Sequence, residues 1–291
     1  VFDVEAMGVR SAERIELEVG LRQALERDEL EVYYQPIFSV LDRRIVAVEA
    51  LVRWRHPERG LLLPEQFIGL AEETGLVLAL GKRVLEKACE NARQWHERLG
   101  VSFSVGVNLS ARQFQNPGLL AEIEEVLAET GVDPSQLCFE ITESLAMHHV
   151  DKTTEVLLSL KALGASVAID DFGTGHSALG YLARFPIDVV KVDRSFTTDV
   201  EVDPVKSAIV SAVLTMATAI GSTTIVEGVE TESQLEHLRG LGCCVVQGFY
   251  LARPMTARQL EELVRSSRAR SALRERLARQ SGTVTPLRES V

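Results

Sequence analysis

Glu49, Asn108, Glu140, Asp170 with Asp171, Lys191 with Asp193, Glu227 and Gln247 share one placement in the chain. Each follows a run of apolar residues and is the first polar group before a turn. The sharpest case is Val167-Ala168-Ile169-Asp170-Asp171-Phe172-Gly173-Thr174-Gly175, where a run that reads as a strand buried on both faces ends in two acids. Adjacent carboxylates at the open end of such a strand repel each other and lose hydration, so the ionised pair needs a cation or a strong donor between its members. One acid pair alone is better explained as a cap on the turn and on a helix starting near Ser177. Asn108 alone could cap a helix beginning near Ser110, and Glu143 alone reads as a surface loop acid. Capping does not explain the repetition at strand after strand, because buried unpaired acids are expensive.

The donor set fits hard divalent cations, since oxygen ligands without histidine or cysteine select Mg²⁺ or Mn²⁺ over zinc. The carboxylates of Glu49, Glu140, Asp170, Asp171 and Glu227 are more than one Mg²⁺ takes, so two ions sharing a bridging carboxylate such as Asp170 is the natural arrangement. Two such ions clamp the attacking and leaving oxygens of an in-line phosphoryl displacement, and the implied reaction is phosphodiester hydrolysis. Ca²⁺ prefers longer bonds and more ligands, so it is expected to enter the same site and inhibit cleavage. A kinase-type magnesium motif at Asp171-Phe172-Gly173 fails for want of a VAIK-like strand and an HRD-like loop before it.

These groups converge only if the strand ends open on one face. Strand signals lie at 31–38, 44–54, 101–108, 137–141, 166–170, 189–193, 223–227 and 244–247. The first two are separated by a turn at Leu41-Asp42-Arg43, too short for the crossover that parallel neighbours require, so they form an antiparallel hairpin. Helical patterns occupy 10–27 (Ile15, Leu17, Leu21, Leu25), 64–75, 76–99, 117–130, 151–163, 177–184, 204–220, 231–240 and 256–267. Strands alternating with helices mean a parallel sheet, and eight strands suffice to close it. The expected fold is α/β, a TIM-like (β/α)8 barrel with an antiparallel first strand. An open doubly wound sheet is second, because no glycine-rich turn follows an early strand.

The 291 residues, 46% hydrophobic and 25% charged, suit a globular chain with a large core. A formal charge of −11 argues against duplex nucleic acid as a partner. Arg265, Arg268, Arg270, Arg274, Arg276 and Arg279 gather late, and 268–291 is expected to be an Arg-rich, frayed or disordered C-terminal tail. Cys89, Cys138, Cys243 and Cys244 lack zinc spacing and are expected to be reduced thiols in a cytoplasmic setting. The apolar stretch from Ala208 to Ile220 is shorter than the roughly 20 residues of a membrane span, and its stripe of Ile209, Val213, Leu214, Ala217 and Ile220 should face a core. The chain starts at Val1 without a methionine and is expected to be a fragment, which leaves room for a membrane anchor elsewhere in a parent protein.

Glu49-Ala50-Leu51 followed by Arg53-Trp54 resembles the signature of the EAL family of bacterial cyclic di-GMP phosphodiesterases. The likeness continues, in the family's order, through Tyr34-Gln35-Pro36-Ile37, Asn108-Leu109-Ser110, Glu140-Ile141-Thr142-Glu143 and the Asp170 to Gly175 stretch. It goes on through Lys191-Val192-Asp193-Arg194-Ser195-Phe196, Glu227-Gly228-Val229-Glu230 and Gln247-Gly248-Phe249, covering about residues 15 to 265. The resemblance implies the same barrel, hydrolysis of cyclic di-GMP to linear pGpG, and a homodimer. It also implies that Glu49, Asn108, Glu140 and Asp170 hold one metal and that Asp170, Asp171 and Glu227 hold the second. Lys191 would orient or activate the attacking water with Asp193 nearby, Gln35, Arg53, Asp193 and Gln247 would meet the substrate, and Glu143 would brace the loop 172–180. His176, Ala178 and Val226 depart from the residues usual in the family. Residues 1–14 resemble a linker from a preceding diguanylate-cyclase-like or sensor domain, with the phosphodiesterase barrel at 15–267. The alternative is a non-catalytic cyclic di-GMP receptor or scaffold; degenerate relatives usually lack metal ligands, and this chain lacks none.

Overall fold

A computed structural model describes residues 4–148, 150–175 and 184–267. Helix α1 (Val4–Glu26) leads into β1 (Leu30–Ser39), which turns back through residues 40–44 into β2 (Ile45–His56). The pair is antiparallel, with Gln35 opposite Glu49 and Tyr34 opposite Ala50, as so short a turn requires. A brief β3 (Gly60–Leu62) folds back on the end of β2. Then come α2 (Ile68–Thr74), α3 (Val77–Leu99), β4 (Ser104–Asn108), α4 (Ala111–Gln115), α5 (Leu119–Thr130) and β5 (Leu137–Thr142). The alternation continues with α6 (Glu143–His148), α7 (Val150–Ala162), β6 (Ser166–Phe172), β7 (Val189–Val192), α8 (Arg194–Thr197) and α9 (Pro204–Ala219). It ends with β8 (Thr223–Val226), α10 (Glu232–Gly240), β9 (Val245–Gln247), a two-residue β10 (Met255–Thr256) and a helix over 257–267.

Strands β2, β4, β5, β6, β7, β8 and β9 lie side by side and parallel, and β9 closes antiparallel on β1. The result is an eight-stranded α/β barrel whose first strand opposes the rest. Two features differ from expectation. Glu49, expected at a strand end, does not end β2: the pairing of β2 with β4 ends at Ala50 opposite Val107, and β2 then runs on to His56 as a ribbon between β1 and β3. Glu49 is therefore level with the barrel rim but in mid-strand. β3 and β10 were also not expected, because two or three residues carry no alternation to detect.

Helices cover the barrel with their apolar stripes. On α3, Leu80, Val84, Ala88, Ala92, Trp95 and Leu99 are buried, and Gly100 ends the helix at φ +59°. On α9, Asp203 caps the first turn by accepting from the N–H groups of Val205 and Lys206, and Val210, Val213 and Ala217 are buried. In the expected stripe on α9, Ile209, Leu214 and Ile220 are only partly buried. On α1, Leu21 and Ala24 are buried, but Ile15 is exposed; the helix begins at Val4 rather than near residue 10 and crosses the expected linker boundary at residue 14. Among the described residues no helix is long and apolar enough to cross a membrane, and the four cysteines are free. The expected helix at 177–184 falls, up to residue 183, outside the described residues, as do His176, Ala178 and the tail 268–291.

Gly248 follows β9 where the backbone of Val229 crosses it: Val229 N–H donates to Gln247 O at 3.1 Å, and Tyr250 N–H donates to Val229 O at 3.0 Å. A Cβ on Gly248 would run into Val229 backbone atoms, which no rotamer change relieves. Gly248→Ala is expected to lower stability by about 2 kcal/mol or more in urea unfolding; an unchanged midpoint would show that this crossing is loose.

Candidate active site

In a regular strand Asp170 and Asp171 would point to opposite faces of the sheet. Here the β6–β7 register slips: Ile169 faces Val190 and Phe172 faces Val192, so the two aspartates stand opposite Lys191 alone. This is a β-bulge, and Asp171 takes φ +52°, a left-handed conformation that aspartate tolerates better than most residues. The Asp171 N–H turns away from the ladder to donate to Asp170 Oδ1 at 2.9 Å. Both carboxylates thereby reach one site. One oxygen each of Asp170, Asp171 and Glu227 lie within 4.8 Å of one another, and so do those of Glu49, Glu140 and Asp170.

Lys191 stands at the centre, 1% exposed. Its Nζ lies 2.6 Å from Glu140 Oε2, 2.8 Å from Glu227 Oε1, 3.2 Å from Asp170 Oδ1 and 3.4 Å from Glu49 Oε2. These side chains come from β2, β5, β6, β7 and the end of β8, so they meet through the barrel interior. One ammonium does not balance so many acids. Burial, followed by the acids' mutual repulsion, raises the carboxyls of Glu140, Asp170 and Asp171, against the pull of Lys191. Burial with the charges of Asp170 and Glu49 pushes Glu227 up to about 8. Glu49 differs: burial alone would raise it, but Lys191 and hydrogen bonds from Gln247 and Asn108 hold it below the ordinary value. Lys191 is itself kept charged, because the four carboxylates outweigh the burial that would deprotonate it. An all-carboxylate donor set with excess buried negative charge, and with Asp170 common to both groups, fits hard divalent cations.

The remaining expected residues divide. Asn108 does not cap α4, whose N-cap is Ser110; its Nδ2 donates to Glu49 Oε1 at 2.9 Å. Gln247 Nε2 donates to Glu49 Oε2 at 2.8 Å and to Gln35 Oε1 at 3.1 Å, which ties β9, β2 and β1 together at the rim. Its own Oε1 is buried and has no partner among the described residues. Glu143 is no surface acid: it is 2% exposed and accepts the Gly173 N–H at 2.8 Å and the Gly175 N–H at 3.4 Å, at the start of the loop that follows the bulge. Arg53 is buried on β2, donating to Val52 O, with its guanidinium 5.7 Å from the Tyr33 ring. Asp193 caps α8 by accepting the Ser195 N–H at 2.9 Å, and its charge adds to the repulsion on Asp171.

Beside the carboxylates a cleft of about 270 Å³ opens, lined by Gln35, Leu51, Glu65, Arg194, Glu230 and Phe249, among others. Arg194, Glu230 and Phe249 stand in the sequence only as members of the family-like motifs, with no role assigned, and Glu65 carries no signal, since none of the four ends an apolar run. Phe249 is 45% exposed, with the Arg253 guanidinium 4.4 Å from its ring centre. Gly106 on β4 also belongs to the site. The Glu140 carboxylate occupies the space where a side chain at 106 would go. A lone glycine inside a strand is the available signal for such close approach.

The family model for the EAL domain matches residues 18–254. The chain belongs to the EAL domain family. Its EAL domain is 42% identical over 259 residues to the bifunctional diguanylate cyclase/cyclic di-GMP phosphodiesterase MucR of Pseudomonas aeruginosa, covering 89% of this chain and 38% of that protein. It is 38% identical over 257 residues to the cyclic di-GMP phosphodiesterase PdeR of Escherichia coli, covering 88% of this chain and 38% of PdeR. The chain thus spans under two fifths of the length of these relatives. Among solved structures, the PaMucR phosphodiesterase in complex with c-di-GMP superposes with a TM-score of 0.81 at 44% identity, over 84% of this chain and 99% of that one. The FimX EAL domain from Pseudomonas aeruginosa bound to c-di-GMP gives 0.75 at 26%, over 82% and 96%.

The raised acids make stability depend on pH. A carboxyl whose folded pKa exceeds its unfolded value stabilises the fold while protonated and loses that contribution as pH rises through the folded pKa. For Glu227 the window runs from about 4.5 to about 8, and Glu140, Asp170 and Asp171 act in the same direction. Among the acids of the site, Glu49 alone opposes them. With chelator present, the melting temperature should fall between pH 5 and pH 8, and added Mg²⁺ or Mn²⁺ should remove the fall. A melting temperature that rises over that range in chelator would contradict the assignment.

Proposed function

We propose that this EAL domain is a metal-dependent phosphodiesterase that hydrolyses cyclic di-GMP to linear pGpG, lowering a bacterial second messenger. The observation that carries the proposal is the pair of carboxylate groups sharing Asp170 around a buried, charged lysine. Support also comes from relatives that are named cyclic di-GMP phosphodiesterases and solved neighbours that hold c-di-GMP. Glu49, Asn108, Glu140 and Asp170 would hold one Mg²⁺ or Mn²⁺ and Asp170, Asp171 and Glu227 the other. When bound, such ions supply Lewis-acid stabilisation of phosphoryl oxygens and a more acidic water for in-line attack.

The rest falls to the chain's own side chains. Lys191 is held protonated, so it would orient the attacking water and offset charge on the phosphoryl oxygens rather than accept a proton. Gln247 offers an acceptor without a partner among the described residues beside the cleft, and together with Gln35, Arg53 and Asp193 would position the dinucleotide. Glu143 would fix the start of the loop 172–180 through the Gly173 and Gly175 amides and so hold Asp171 in place. We take the domain to act in the cytoplasm as a homodimer within a longer signalling chain, joined to an upstream diguanylate-cyclase-like or sensor domain; the greater length of its relatives supports the last point. Sedimentation at micromolar protein that finds only monomer would remove the dimer.

A non-catalytic receptor would bind the dinucleotide without cleaving it under any ion. The deciding experiment measures cyclic di-GMP affinity and pGpG formation side by side with Mg²⁺, Mn²⁺ and Ca²⁺. Mg²⁺ and Mn²⁺ should support turnover. Ca²⁺, whose oxygen distances of about 2.3–2.6 Å exceed the 2.0–2.1 Å of Mg²⁺, should support binding alone. Glu49→Ala should lose at least about 100-fold in turnover while staying folded. No turnover with any ion, or equal turnover with Ca²⁺, would overturn the proposal.

A further inference from the structure

Lys191 does more in this geometry than face a substrate. Its ammonium touches all three acids of the Glu49, Glu140 and Asp170 group and two of the three in the Asp170, Asp171 and Glu227 group. The oxygens available to a cation are thus largely the oxygens already engaged by an ammonium. A cation bonded at about 2.1 Å to an oxygen that lies 2.6 Å from Nζ stands no farther than about 5 Å from that charge. Two positive groups at such range inside a barrel repel strongly. The lysine has no easy escape, because it is 1% exposed and rises from the middle of β7. Withdrawing its ammonium from the acids would leave it charged and unpaired among apolar strand residues.

The charge count points the same way. The carboxylates of Glu49, Glu140, Asp170, Asp171 and Glu227 with one ammonium leave four negative charges, the charge of two divalent cations. Without the lysine the site would be over-negative even with both ions bound, and would hold them more tightly than neutrality requires.

We infer that Lys191 is a tethered competitor of the metal ions, a fixed internal cation that lowers the affinity of the site for divalent ions and holds the acids together when none is bound. The effect falls mainly on the Glu49, Glu140 and Asp170 group, since Asp171 makes no ion pair with Lys191. This inference rests on the metal-dependent reading above, but concerns affinity and folding rather than turnover.

The test is Mn²⁺ binding to the whole chain, by calorimetry and by the electron paramagnetic resonance of free Mn²⁺, with no dinucleotide present. Lys191→Met should bind Mn²⁺ on the order of tenfold more tightly than the parent, or better. It should also show a larger rise of melting temperature when Mn²⁺ replaces chelator. Lys191→Arg, which keeps the charge, should gain no affinity. If Lys191→Met fails to fold in chelator, it is prepared in Mn²⁺ and its affinity read by competition with a chelator of known strength. Equal or weaker Mn²⁺ binding by Lys191→Met overturns the inference, and so does a gain in Lys191→Arg matching that of Lys191→Met. No Mn²⁺ binding by the parent or either variant would instead remove the metal-dependent reading itself.

Discussion

One ammonium enclosed by carboxylates from four other segments of a closed sheet is the interaction on which this molecule turns. Desolvating any one of these charges costs several kcal/mol, and the cost is offset only where opposite charge and hydrogen bonds are held in place. A closed barrel provides that. Each strand is fixed by neighbours on both sides, so a side chain from β7 can meet side chains from β2, β5 and β6 and from the residue that follows β8. The helices take the main apolar load, with Leu157, Leu160, Val210 and Leu238 fully buried. Stability and chemistry are thereby assigned to opposite faces of the same strands.

The antiparallel first strand belongs to the same economy of space. A two-stranded start needs only residues 40–44 as a connection, and it lets β2 continue past the rim as a ribbon between β1 and β3. Trp54 on this ribbon is fully buried, against Phe67 on one side and the α1 backbone at Gly20 on the other. Its indole N–H reaches Glu29 Oε2 at 3.2 Å. The strand that bears Glu49 is therefore clamped beyond the barrel as well as within it, and helix α1 is part of the clamp.

Much of this was legible in the residues. The order of strands, the hairpin and the line of polar groups at strand ends follow from apolar runs, short turns and alternation, which are local properties. What escaped depends on distances across the barrel. Lys191 reads as one more rim residue in Val-Val-Lys-Val, and nothing in that run says that its ammonium meets acids from four other segments. Glu143 reads as a loop acid from its own surroundings, and only the family resemblance anticipates its hold on the Gly173 and Gly175 amides. Asn108 reads as a site residue by its place at a strand end, but its hydrogen bond to Glu49 crosses from one strand to the next, which no local signal states. Glu65 and Phe249 reach the cleft from connections whose course no periodicity predicts. Register and cross-barrel reach are set by the closure of the whole sheet, and a stretch of sequence does not state them.

The slip between β6 and β7 has a consequence for how the backbone senses its own side chains. In an ordinary ladder an amide proton is shielded by the carbonyl of the next strand, and its exchange with solvent reports only the opening of the sheet. At Asp171 the amide is shielded by the carboxylate of Asp170 instead. Its exchange lifetime is therefore governed by the orientation of a side chain that also faces Lys191. Any event that turns the Asp170 carboxylate is written into the protection of a neighbouring peptide group, so the barrel wall carries a built-in proton-exchange record of what happens inside it.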